Sequence, residues 1–152
     1  MIKPALSTNR LILLTAVFIT AFGNLAFFSR VLQVYPLDGG HMPALLSIPV
    51  IFGGATVLML APCCFRRTVK PILAMVLLLS ALAAYFMDNY GAIISADMLR
   101  NVAHTNTAEA TELLTPKLLG YVVLLGVLPA ILLIRTRLVW RGWKMELLSR
   151  MK

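Results

Sequence analysis

Three residues in the second half of the chain have the types and spacing to hold a small charged group: Asn101, Thr105 and Glu109. They recur at i, i+4 and i+8, so on a continuous helix they form one polar row turning about 40° per step. An amide, a hydroxyl and a carboxylate in a row suit an ammonium or phosphate headgroup. The carboxylate pairs with the amine, and the other two supply hydrogen bonds. The same residues also read as local structure, with Asn106 and Glu109 as a capping box and Thr105 as a turn residue. Spacing alone leaves both readings open.

Little else in the chain has the makings of chemistry. His104 and His41 each lack a second His or Cys at ligand spacing. Cys63 and Cys64 are adjacent, which suits neither a bridge between them nor a metal site, so both read as free thiols. There is no Gly-rich phosphate loop, no G-x-S-x-G elbow and no H-E-x-x-H. Phosphoryl or acyl transfer needs an activated nucleophile surrounded by charge stabilisers. None is found, so these residues are not expected to catalyse anything alone, and no cofactor is expected among them.

The elements that must position the row follow from hydropathy. Apolar residues make up 60% of the 152 and charged ones 13%, against roughly a quarter charged in soluble domains. That is too few to cover a soluble surface. The charges fall in blocks and leave uncharged runs at 11–29, 39–65, 71–87 and 118–134. A helix rising about 1.5 Å per residue needs roughly 17–25 residues to cross the ~30 Å hydrocarbon core. Each run is long enough for one crossing. The expectation is an all-α polytopic membrane protein of about four transmembrane helices, near 11–28, 44–62, 71–87 and 117–134. A short helical periplasmic segment, 88–116, carries the polar row, and a weakly amphipathic cytoplasmic tail, 135–152, follows. The first run is longer than a signal-peptide core and ends in Phe27, Phe28, Ser29 and Arg30 rather than at a cleavage site, so it is taken as a retained helix.

Charge sets the expected orientation. Four crossings put both termini and the 63–71 loop on one side, with Lys3, Arg10, Arg66, Arg67, Lys70, Arg135, Arg137, Arg141, Lys144, Arg150 and Lys152. The loops 29–43 and 88–117 share the other side, with Arg30, Arg100 and Lys117. Lys/Arg excess marks the cytoplasm, so both ends are placed inside, in a bacterial inner membrane. The formal charge of +8 therefore speaks for membrane orientation and not for nucleic acid. Pro43, Pro71 and Pro116 sit where helices should begin, and Pro49 and Pro129 lie inside runs, where they should kink a helix.

An ordered set of residues resembles a known family. It comprises Asn24-Leu25-Ala26-Phe27-Phe28, Val69-Lys70-Pro71 and Tyr85-Phe86-Met87-Asp88-Asn89-Tyr90-Gly91. Met98-Leu99-Arg100-Asn101, Thr105-Asn106-Thr107-Ala108-Glu109 and Gly126-Val127-Leu128-Pro129-Ala130 follow. In order and spacing these are similar to the N-terminal membrane domain of the phosphoethanolamine–lipid A transferases, the family that includes the mobile colistin-resistance enzymes. The resemblance implies five transmembrane helices followed by a periplasmic, zinc-dependent domain of the sulfatase type. That domain's threonine takes phosphoethanolamine from phosphatidylethanolamine and passes it to lipid A, which weakens polymyxin binding. It also implies that Asn101, Thr105 and Glu109 match an Asn, a Thr and a Glu that help form the donor site.

The expected role is thus membrane anchor and donor-lipid docking for a transferase whose catalytic domain and zinc lie outside residues 1–152. The expected partners are phosphatidylethanolamine, lipid A and that catalytic domain. Alternatives are a sister enzyme acting on core heptose or periplasmic glucan, or a small autonomous structural or transport protein. Transport is disfavoured because the expected spans contain no charge apart from Lys117 at the edge of the fourth.

Overall fold

The structure is a computed structural model that describes residues 5–35, 40–63, 68–91 and 115–138. The described residues are mostly helical, with two short strands. These are β1 (Ala5–Leu6), α1 (Thr8–Phe22), α2 (Leu25–Val34), α3 (Met42–Leu60), α4 (Val69–Tyr90), α5 (Pro116–Arg135) and β2 (Arg137–Leu138). Three helices, α3, α4 and α5, are long and apolar enough to cross a membrane. The bent pair α1–α2 makes a fourth if it is counted as one span.

The exposure pattern shows the solvent these helices are built for. α3 is apolar all round, and among its residues only Leu60 is buried. Leu46, Val50, Ile51, Leu58 and Met59 are all exposed on it. In water this would be a large unprotected patch; in lipid it is an ordinary outer face. α4 is the hub, packing against α1, α2 and α5, while α3 packs on α1. The core is Leu11, Ile12 and Ile19 of α1, Leu60 of α3, Val69, Leu73 and Leu77 of α4, and Ala130 and Leu133 of α5.

One end of the bundle is closed by backbone chemistry. β1 and β2 pair in parallel, Ala5 opposite Arg137 and Leu6 opposite Leu138. The Lys70 ammonium donates to the carbonyls of Ile134 at 2.8 Å and Thr136 at 2.9 Å. A cation at a helix C-terminus satisfies carbonyls that have no helical partner and also meets the negative end of the dipole.

The first apolar run differs from expectation. Instead of one helix over 11–28, the chain breaks at Gly23-Asn24 and α2 leaves at 55° to α1. The Ile19 carbonyl accepts both the Gly23 N–H, at 2.9 Å, and the Asn24 side-chain amide, at 2.9 Å. A side chain that bonds the preceding turn competes with helix continuation. Beyond the break, helix persists to Val34 through Ser29 and Arg30, where a loop from residue 29 was expected.

α5 carries the other irregularity. Thr115 caps it, accepting from the Leu118 N–H at 3.2 Å, and Pro116 follows as the first helical residue. Residues Val122–Val127 are then π-helical, and the Leu128 N–H reaches back to Val123 O. Pro129 has no N–H to give, so widening the turn before it takes up the mismatch. Gly126 faces α4 there: a Cβ in its place would lie 2.9 Å from Leu78 Cδ2 and 3.3 Å from Ala81 Cβ.

Candidate functional site

Asn101, Thr105 and Glu109 lie outside the described residues, as do His104 and the tail beyond Leu138. The described flanks of their segment are Gly91, which ends α4, and Thr115, which begins α5. These flanks and α2 form a polar collar around one end of the bundle.

The collar is built from the last two turns of α4. Tyr85 is buried, at 3% exposure, and its hydroxyl meets Thr115 Oγ1 at 2.8 Å. Its ring stands edge-on to Tyr121, with centroids 5.6 Å apart. One turn later, Asp88 Oδ2 accepts from the Tyr121 hydroxyl at 2.9 Å. Asn89 donates its amide to Tyr85 O at 2.8 Å and accepts from the Lys117 ammonium at Oδ1. Three side-chain bonds therefore tie the end of α4 to the start of α5, so the two ends of the 92–114 segment are held in register.

α4 stops at Gly91, whose φ of 59° is left-handed and whose N–H bonds Met87 O at 3.1 Å. A residue with a Cβ is disfavoured at such a cap. It would also stand 3.4 Å from an Arg30 guanidinium nitrogen. The missing side chain leaves Arg30 room beside the end of α4.

Between α2 and this end of α4 is a slot of ≈ 510 Å³ lined by Ala26, Phe27, Arg30, Val31, Val34, Tyr35, Met87 and Gly91. An adjoining, more polar hollow of ≈ 380 Å³ shares Ala26, Arg30, Met87 and Gly91 with it and adds Leu25, Ser29 and Asp88. A cation, a hydroxyl and a carboxylate thus share the rim of an apolar slot. Among the described residues Arg30 makes no hydrogen bond or ion pair. Among the same residues no three of His, Cys, Asp and Glu come together as metal ligands, so they do not fit a zinc site.

Sequence reasoning counted Arg30 only as a charge on one side of the membrane and Asp88 only as one residue of a family-like run. The cue that could have found Arg30 is its own place, four residues beyond Ala26 in a run that stays apolar to Val34 but for Ser29 and Gln33. A long cationic side chain there buries its stem and places its head at the interface.

An α-helical bundle whose longest helices carry apolar outer faces and whose polar collar sits at one end is a polytopic membrane domain. The chain belongs to the phosphoethanolamine transferase EptA/EptB family, whose N-terminal model matches residues 53–152. It is 33% identical over 149 residues to phosphatidylethanolamine transferase Mcr-1 of Escherichia coli, covering 98% of this chain and 28% of that protein. Phosphoethanolamine transferase EptA of Escherichia coli is 34% identical over 131 residues, 86% of this chain and 24% of that protein. The solved integral membrane protein lipooligosaccharide phosphoethanolamine transferase A (EptA) from Neisseria meningitidis superposes with a TM-score of 0.89 at 29% identity. That match covers 97% of this chain and 28% of the other. The chain thus spans about a quarter of the length of the relatives it matches.

Proposed function

We propose that this chain is the membrane anchor and donor-docking part of a transferase that moves phosphoethanolamine from phosphatidylethanolamine to lipid A, giving polymyxin resistance. The observation that supports the reading is the match over nearly the whole chain to relatives named as phosphatidylethanolamine and phosphoethanolamine transferases, joined to a TM-score of 0.89 with a solved lipooligosaccharide phosphoethanolamine transferase. In this reading the collar lies at the periplasmic surface of the inner membrane and both termini are cytoplasmic. The catalytic domain, with its zinc and its threonine nucleophile, lies outside residues 1–152.

The segment between Gly91 and Thr115 then presents Asn101, Thr105 and Glu109 to the donor headgroup. Glu109 pairs with the ammonium, and Asn101 and Thr105 donate hydrogen bonds to phosphate oxygens. The pinning of α4 to α5 by Tyr85–Thr115, Asp88–Tyr121 and Asn89–Lys117 supports a fixed base for that segment.

Lipid A mass spectrometry tests this in cells that lack other transferases and express the full protein. The expected result is phosphoethanolamine on lipid A with the wild type, and at least a tenfold loss with Asn101→Ala, Thr105→Ala or Glu109→Ala at equal expression, about the worth of one charged hydrogen bond. Modification of core heptose or periplasmic glucan instead would reassign the acceptor. Unchanged modification in all three variants would leave the row as ordinary loop chemistry.

A further inference from the structure

We propose that the slot between α2 and the end of α4 binds phosphatidylethanolamine. One acyl chain lies in the slot, the phosphodiester sits on Arg30, and the ammonium faces Asp88. This deepens the reading above by giving the donor lipid a second foothold, on α2, in addition to the Asn101 row.

The shape comes first. A slot of ≈ 510 Å³ is far larger than the roughly 30 Å³ share of one water, and apart from Arg30 and the Tyr35 hydroxyl its lining side chains are hydrocarbon, aromatic or thioether. An apolar chain fits it; a hydrated ion does not.

Charge at the rim then selects the head. Arg30 offers its guanidinium N–H groups, uncommitted among the described residues, and a planar fork of donors matches a phosphate's oxygens. Asp88 has given Oδ2 to Tyr121 and, among the described residues, keeps Oδ1. One cation and one anion around the same hollow complement a zwitterion whose anionic and cationic ends are a few bonds apart. A primary ammonium can donate to Asp88, whereas a quaternary one has no N–H to give. A glycerol headgroup brings no positive charge at all. The alternative occupant, a helix of a second copy, would cover both Arg30 and Asp88 with hydrocarbon and leave their remaining hydrogen-bonding groups unmet, which is costly in a membrane.

Native mass spectrometry of the full protein, delipidated in detergent and titrated with dioleoyl phosphatidylethanolamine, phosphatidylcholine or phosphatidylglycerol, tests the assignment. The wild type should retain phosphatidylethanolamine best. Arg30→Gln should weaken retention of all three about tenfold, with Arg30→Lys recovering most of it. Asp88→Asn still accepts from Tyr121 and should lower phosphatidylethanolamine to the phosphatidylcholine level while leaving phosphatidylcholine unchanged. Met87→Trp, which fills the slot, should reduce all three. Equal retention of the three lipids by the wild type would overturn the proposal, as would unchanged retention in both Arg30→Gln and Met87→Trp. Retention does not depend on turnover. A protein that binds as expected but transfers nothing would sink the transferase reading and support this one, and a protein that transfers normally with no lipid selectivity would do the reverse.

Discussion

At the scale of single residues, the collar depends on a few atoms. Gly91 holds a left-handed φ at the end of α4 and leaves Arg30 room. Gly91→Ala should cost about 1–2 kcal/mol, the penalty for an L-residue in that conformation, and Gly91→Asn less. Thermal unfolding of the purified protein in detergent would read the difference, and equal melting temperatures for all three would mean that the cap relaxes freely. Tyr85 is the second such residue. Tyr85→Phe keeps the ring edge-on to Tyr121 and removes the bond to Thr115, so about 1 kcal/mol should be lost. A loss of several kcal/mol would instead point to a wider network around that hydroxyl.

At the scale of elements, the lesson lies in how helices end and pack. Lys70, on the first turn of α4, satisfies two carbonyls at the end of α5. Lys70→Met should therefore destabilise by about 1–3 kcal/mol, with Lys70→Arg restoring most of it, as measured by melting in detergent. Gly126 allows the π-helical stretch of α5 to lie close on Leu78 and Ala81. Gly126→Leu should overpack that contact and cost about 1–3 kcal/mol, whereas Gly120→Leu, where a Cβ would meet nothing within 4 Å, should cost little. Hydropathy made the long helices legible, because a membrane span is a property of composition over some twenty residues. Pro116 made the start of α5 legible, because a residue without an N–H suits the first helical position. The break at Gly23-Asn24 was not legible, since apolar residues continue on both sides and only the Ile19 carbonyl shows that Asn24 turns inward. The π-helical stretch was legible only as a disturbance near Pro129. Of the slot only Arg30 left a cue: Arg30 and Asp88 are 58 positions apart, and only the packing of α2 on α4 brings them to one hollow. The Asn101 row is an expectation from spacing and resemblance that lies outside the described residues, and its flanks are what the structure adds.

At the scale of the whole molecule, the open question is which end faces the cytoplasm, and charge answers it in testable form. Among the described residues, Arg10, Lys70, Arg135 and Arg137 belong to the end where β1 meets β2, and Arg30 and Lys117 to the collar. The Lys/Arg bias that orients membrane proteins acts through short flanking segments, so the β1–β2 end should be inside and the collar outside. The protein carries its own probe for this. Cys63 is an exposed free thiol just past α3, and its carbonyl accepts from the Thr68 hydroxyl at 3.0 Å, on the Lys70 side of the bundle. In a Cys64→Ser background, a maleimide that cannot cross the inner membrane should leave Cys63 unlabelled in cells with a permeabilised outer membrane. It should label Cys63 once the inner membrane is broken. Gly40→Cys, exposed before α3 and placed in a Cys63→Ser, Cys64→Ser background, should react in the intact cells. The reverse pattern would turn the molecule over and put the Arg30–Asp88 rim in the cytoplasm. A donor site serving an acceptor on the outer face could not work from there, so that single result would undo the proposed function while leaving the bundle, the collar and the slot as they are.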